Sequence, residues 1–314
     1  MLLFKKRKYF KIVAEAEKLR EDGKLQEAID KYNEAFKDII NVRDYINLAC
    51  VYIDLQEYDK AINIFLDVIE EAKDKSESLA SVYFGLAVCY DSLKQKGKAI
   101  EAYKEAINNG CMAPECYYFL GTLYDDDATS LDSNEAINTI NCYNKAIEIY
   151  PEYLFAYVNL GNLYARFNDN NKALEYFLKA KELDKDCSSN SDYNLAVVYN
   201  NLGDKDKAEY YYLEELKTKD PYPSTYYNLG ILYKEKGEYE KSLQNYLKAL
   251  KLDEKDFDAW YNLACLYALM NDFDNAFSCL TFIKYNKPKW LEGTKTDNEL
   301  VELRKDKRYE DLFK

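Results

Sequence analysis

Three strings recur along this chain at one interval. Tyr193-Asn194-Leu195-Ala196, Tyr227-Asn228-Leu229-Gly230 and Tyr261-Asn262-Leu263-Ala264 stand 34 residues apart, and Tyr199, Tyr233 and Tyr267 each follow three residues on. A unit of that length with small and aromatic residues at constant offsets reads as a helix hairpin that cannot bury its own apolar face. It must stack on copies of itself. A length of 314 residues would by itself suggest two domains. An array grows without a single closed core, so the repeat removes that inference.

The register extends in both directions and gives units starting near residues 9, 42, 80, 114, 154, 189, 223 and 257. The small residue of the first helix is then Ala16, Ala49, Ala87, Gly121, Gly161, Ala196, Gly230 or Ala264. The small residue opening the second helix is Ala28, Ala61, Ala99, Thr139, Ala173, Ala208, Ser242 or Ala276. Such side chains let two helix backbones approach, where Leu or Lys would hold them apart. An aromatic slot in the second helix holds Tyr32, Phe65, Tyr103, Tyr143, Phe177, Tyr212 and Tyr246, with Leu280 in the last unit. Apolar spacings of three and four, as in Tyr226, Leu229, Gly230 and Tyr233, make one helical stripe. Turns are expected at Gly23, Asn168-Asp169-Asn170, Gly203-Asp204 and Gly237, and joints between units at Ala113-Pro114, Tyr150-Pro151 and Asp220-Pro221.

Residues 223–256 carry the pattern most fully, with Tyr226, Leu229, Gly230, Tyr233, Gly237, Tyr239, Ser242, Tyr246, Ala249 and Leu252. This pattern resembles the tetratricopeptide repeat family over nearly the whole chain. The resemblance implies an all-α fold, a right-handed superhelical solenoid of about eight helix-turn-helix units. Residues 1–314 would then form a single solenoid whose first helices line a concave groove. The last stretch, about 287–314, no longer repeats, and Trp290, Leu300, Leu303, Tyr309 and Leu312 suit a capping segment over the end helix. Extra residues enter around Lys73 to Ser76, and an acidic stretch from Asp125 to Ser133 lengthens the turn inside the fourth unit. Both read first as tolerated surface loops. Val68, Glu215 and Ile283 replace a small residue late in the second helix, where looser packing is expected.

Composition excludes several chemistries. With no histidine, His-based acid–base or triad catalysis and Cys/His zinc sites are ruled out, and the eight cysteines show no CxxC spacing. No phosphate-cradling glycine loop or metal-ligand spacing appears, so no enzyme activity, metal or cofactor is expected. Free thiols point to a reducing, cytoplasmic setting. A net charge of −13 works against nucleic-acid binding, and no apolar run is long enough for an integral membrane span. The first 20 residues differ: seven Lys or Arg against Glu15 and Glu17 leave +5, read as a solvated helix face or a contact with a membrane surface or acidic partner.

The resemblance also implies which side chains line the groove, at offsets 2, 5, 6, 9 and 12–13 of each unit. Offset 6 is Asn in five units, Asn47, Asn159, Asn194, Asn228 and Asn262. A carboxamide offers a donor and an acceptor together, matching an extended peptide backbone. Offset 5 supplies Phe84, Tyr118, Tyr193, Tyr227 and Tyr261, and offset 9 Val197 and Ile231. These twelve residues form an Asn/Tyr track expected to bind an extended or helical peptide segment of a partner protein. The competing expectation is a structural scaffold or self-associating solenoid whose groove is filled by another subunit or by the chain's own end. Some relatives grip a terminal carboxylate with cations at offsets 2, 5 and 6. Here Arg43 is the sole basic residue there, so that clamp is not expected.

Overall fold

A computed structural model describes residues 2–37, 41–72, 79–184, 191–218 and 221–314, with helix as the only regular secondary structure among them. The inserted residues Lys73 to Ser76, Cys187, Asp220 and the expected unit start at 189 lie outside the described residues. Helices follow one another in pairs: α1 (Leu2–Glu21) and α2 (Leu25–Phe36), α3 (Val42–Asp54) and α4 (Tyr58–Ala72), α5 (Ala80–Ser92) and α6 (Lys96–Asn108), α7 (Pro114–Asp125) and α8 (Asn134–Ile149). The series continues with α9 (Leu154–Arg166) and α10 (Asn170–Leu183), α11 (Ser191–Asn201) and α12 (Lys205–Glu215), α13 (Pro223–Glu235) and α14 (Tyr239–Leu252), α15 (Phe257–Leu269) and α16 (Phe273–Asn286). Helix starts at residues 42, 80, 114, 154, 223 and 257 coincide with the repeat register.

The chain forms two compact units, 1–163 and 164–314, with the boundary inside α9. In the first, α1 to α7 share a core running from Tyr9 to Leu123, with Cys142 of α8 packed against it. In the second, a core from Tyr246 to Leu312 joins α14, α15 and α16 to the C-terminal segment.

The repeat pattern is a packing pattern. All sixteen small-residue positions are buried, and the aromatic slot from Tyr32 to Leu280 is at most 2% exposed. Close approach is what this requires: a Cβ on Gly121 would lie 2.8 Å from Tyr143 Cε1. Where the second small residue carries a hydroxyl it bonds the first helix, Ser242 Oγ donating to the Gly230 carbonyl at 2.7 Å.

One residue in seven of the hairpin turns takes a left-handed conformation, at Gly23, Gln56, Lys94, Asn168, Gly203, Gly237 and Asn271. The following N–H then reaches the carbonyl five residues back, as in Lys24 to Leu19 at 2.8 Å, Asp204 to Tyr199 at 2.9 Å and Asp272 to Tyr267 at 2.8 Å. That bond satisfies a carbonyl the helix end would leave open. Asp169, Asp204 and Asp272 then cap the second helix, each side chain accepting from the N–H three residues on.

The replacements late in the second helix are closed over: Val68, Glu215 and Ile283 are at most 2% exposed. Glu215 Oε1 accepts the Tyr222 N–H at 2.7 Å, so a carboxylate there serves the joint to α13. The acidic loop is tied to the preceding repeat through Lys96, 2.8 Å from Asp127 and 3.8 Å from Asp126.

Candidate functional site

In the first unit, three successive first helices open onto a cavity of about 900 Å³. α1 contributes Arg20, α3 contributes Arg43, Ile46, Asn47, Cys50, Ile53 and Asp54, and α5 contributes Ser81, Phe84, Gly85 and Val88. Offsets 2, 5, 6, 9, 12 and 13 of the register all appear in this lining. Phe65 and Val68 of α4 also line it. Val68 stands where a small residue would let neighbouring hairpins close together, and the cavity lies where looser packing was expected.

Aliphatic and aromatic side chains share the lining with polar ones, among them Arg20, Arg43, Asn47, Asp54 and Glu71. Arg20 Nε contacts Asp54 Oδ2 at 2.6 Å, linking α1 to α3. Asn47 Nδ2 donates to Glu17 Oε1 at 3.3 Å. Arg43 forms no ion pair among the described residues. Its backbone N–H donates to Asn41 Oδ1, which caps α3. A smaller polar recess beside it is lined by Glu17, Arg20, Glu21, Tyr32, Arg43, Asn47 and Asp54. Tyr32 is fully buried and its hydroxyl has no hydrogen-bond partner among the described residues. Burial, with Glu17 nearby, pushes that phenol up to about 12. Burial likewise pushes the Cys50 thiol up, with Arg20 pulling the other way.

The twelve expected groove residues share one environment: every one is half-buried. The structure adds what spacing alone did not convey, namely where the asparagine N–H groups go. Asn228 Nδ2 donates to Tyr193 Oη at 3.2 Å, and Asn262 Nδ2 to Tyr227 Oη at 3.0 Å. In the first unit Asn159 Nδ2 donates to Tyr118 Oη and Tyr143 Oη, both at 3.2 Å. Each asparagine thus reaches the phenol at offset 5 of the preceding repeat. For Asn47 and Asn194 the residue in that register position is Val13 or Val158, which has no hydroxyl. The track is therefore partly a ladder joining consecutive hairpins. Phenol rings, the carbonyl oxygens of Asn159 and Asn228, the carboxamide of Asn194 and the aliphatic offset-9 side chains remain among the groups it offers.

The last repeat is covered by the chain's own end. After α16 come a short turn at Pro288–Trp290, a one-turn helix α17 (Leu291–Thr294), turns at Asn298–Leu300 and Leu303–Lys305, and α18 (Arg308–Asp311). Tyr261 Oη donates to Asp297 Oδ2 at 2.8 Å. Lys234 Nζ donates to Glu299 Oε2 at 2.7 Å and to Asn262 Oδ1 at 3.3 Å. Leu291, Leu300, Leu303 and Leu312 are buried, whereas Trp290 is 37% exposed, its ring 6.3 Å from that of Phe257. Cys265, Asp297 and Glu299 cluster within 4.8 Å. Burial and the two carboxylates push the Cys265 thiol up, and Lys234 supplies the cation there. The cluster is an ion-pair network closing the array.

A tetratricopeptide repeat model matches residues 38–109, a second matches 156–187, and a TPR repeat model matches 232–271. The chain belongs to the tetratricopeptide repeat family. Repeats of this family are generally non-catalytic modules of protein–protein interaction.

A TPR repeat-containing protein of Methanocaldococcus jannaschii is 28% identical over 166 residues, 52% of this chain and 27% of that protein. The regulatory protein RapK of Bacillus subtilis is 28% identical over 148 residues, 43% of this chain and 40% of its own. The Hsp70-Hsp90 organising protein of Plasmodium falciparum is 37% identical over 90 residues, 27% of this chain and 16% of that protein. The chain thus spans at most 40% of the length of these relatives. Among solved structures, the C-terminal part of a TPR repeat-containing protein from Cytophaga hutchinsonii matches with a TM-score of 0.63 at 18% identity, covering 80% of this chain and 99% of that one. That likeness speaks for the fold. No helix among the described residues is long and apolar enough to cross a membrane.

Proposed function

We propose that this tetratricopeptide repeat chain is a non-catalytic module that holds a peptide segment of a partner protein, extended or helical, on the first-helix face of its repeats. The observation that carries the reading is the 900 Å³ cavity of the first unit. Its volume suits one or two large side chains together with their main chain. Its aliphatic and aromatic walls suit an apolar anchor residue, and Arg43 offers donors to a main-chain carbonyl or an acidic side chain beside that anchor. Asn47 and Phe84 belong to this surface. Tyr118 and Asn159 would add to it in the first unit, and Tyr193, Asn194, Val197, Tyr227, Asn228 and Ile231 would form a similar surface in the second. Tyr261 and Asn262 serve mainly to seat the C-terminal segment.

The test uses peptides selected from a random library against the full chain, with affinity measured by fluorescence anisotropy. Phe84→Ala/Asn47→Ala is expected to weaken binding at least tenfold, as loss of an interface anchor does. Tyr227→Ala/Asn228→Ala reports the surface of the second unit. Wild-type affinity in both double variants would remove the first-helix face from the account.

A further inference from the structure

The first helix differs from the other first helices in length and in charge. α1 runs 20 residues, where α3, α5, α9, α13 and α15 run 13, so its opening turns extend beyond the repeat register. One stripe of it, Tyr9, Ile12, Val13 and Ala16, is buried. At 3.6 residues per turn the opposite face presents Arg7, Lys11 and Lys18, with Phe10 beside them. Phe10 is 61% exposed, and Lys6, Arg7, Lys8 and Lys11 around it are exposed as well.

None of those four cations forms an ion pair among the described residues. Elsewhere the habit is the reverse: Lys60, Lys145, Lys179, Lys217 and Lys241 each hold a glutamate three residues away. No acidic residue precedes Glu15, and Glu15 is itself held by Lys31 at 3.0 Å. A concentrated positive patch, with only Lys11 near a carboxylate that Lys31 already holds, thus stands on a chain of net charge −13. At physiological salt, exposed charges more than about 8 Å away are largely screened, so the patch acts on its own.

We propose that the N-terminal half of α1 docks on an anionic lipid surface, Lys6, Arg7, Lys8 and Lys11 meeting the headgroups and Phe10 entering the interface. Two features together favour a bilayer over other polyanions. The cations match a negative surface potential, and their long stems reach headgroups from the flanks of the helix. The exposed ring matches an apolar layer beneath the charge, which a nucleic acid or an acidic protein face does not provide. The proposal requires nothing of the cavity or its occupant.

The experiment is co-sedimentation of the full chain with vesicles of phosphatidylcholine alone and of phosphatidylcholine with phosphatidylserine. Binding is expected to the second only, and to fall steeply as salt is raised. Each basic residue near such a surface changes partitioning about fivefold, so Lys6→Gln/Arg7→Gln/Lys11→Gln should lose about 100-fold. Phe10→Ala, at unchanged charge, should lose about tenfold. All these side chains are exposed, and unchanged circular dichroism verifies the fold of each variant. Equal binding to both vesicle types, or no binding to the anionic ones, would overturn the proposal. So would a Phe10→Ala variant that binds like wild type, because the patch would then be a general anion-binding face that heparin occupies equally well.

Discussion

A methyl group on Gly230 would stand 2.5 Å from Tyr246 Cε1, inside the ring's contact surface, while one on Gly97 would meet nothing within 4 Å. Gly230→Ala should therefore cost about 1–3 kcal/mol of stability through overpacking, and Gly97→Ala should be neutral or slightly stabilising, as a thermal melt of each variant will show. The ring it would strike belongs to a set with a second consequence. Burial pushes the phenols of Tyr32, Tyr103, Tyr143, Tyr212 and Tyr246 upward, that of Tyr32 to about 12. A folded-state pKa above the unfolded value of about 10 contributes stability that is complete below pH 10 and is lost as pH climbs through the folded value. Stability should thus hold up to about pH 10 and then fall by about 1.4 kcal/mol per pH unit for each such phenol. A late step in tyrosinate absorbance, the share of these five rings among the 32 tyrosines, should coincide with loss of helical circular dichroism, and its appearance well before unfolding would contradict the burial assigned to them. Another regularity in these residues escaped sequence reading. Tyr52, Tyr90, Tyr164, Tyr199 and Tyr233 each lie under the ammonium of the lysine eight residues on, at 4.8–5.2 Å. The spacing was visible in the chain, but its meaning depends on the hairpin turn that brings the pair together.

At the scale of helices and turns, the hairpin geometry matters more than the residue that happens to occupy it. Gly23, Gly203 and Gly237 mark turns in the sequence, whereas Gln56 and Lys94 do not, yet all five take the same left-handed conformation. Gln56→Gly should stabilise the chain by about 0.5–1 kcal/mol, because a side chain resists φ of 61° and glycine does not. An unchanged or lowered melting temperature would mean that the glutamine side chain has a role of its own. The same contrast separates what was legible in the candidate site from what was not. Offsets 2 to 13 line one cavity in the first unit; that these offsets share a face was implied by the family resemblance, which set Asn47 and Phe84 on one surface without marking a cavity there. The bond from Asn228 to Tyr193 was not, since it depends on how far one hairpin rotates on the next. Both residues belong to the expected track, and the structure also joins them to each other. The cavity was foreshadowed at Val68, one of three positions, with Glu215 and Ile283, where a larger residue fills a slot that the other units give to Ala.

Taken whole, a stack of hairpins has a problem only at its ends, where an apolar face lacks a neighbour. The second unit solves it with residues 291–312, burying four leucines against α15 and α16 and pinning the segment through Tyr261–Asp297 and Lys234–Glu299. Removing everything after Asn286 would withdraw about 6–12 kcal/mol of apolar burial, and the shortened chain should aggregate, as light scattering would report. A soluble, monomeric truncation would show that the end needs no cover. The closure also bears on function: it takes up Tyr261 and Asn262, and under the proposed reading a partner's anchor residue would sit on the first-helix surface of the other repeats, the cavity of the first unit foremost. Cys50 lines that cavity and reports on it directly. The decisive measurement is the rate of maleimide alkylation at Cys50 in the full chain, read by mass spectrometry of the peptide that contains it, with and without saturating amounts of a selected peptide ligand. The account predicts protection of at least tenfold when the ligand is bound, and lost protection in Phe84→Ala/Asn47→Ala. An unchanged alkylation rate under saturation would place the partner elsewhere and contradict the account.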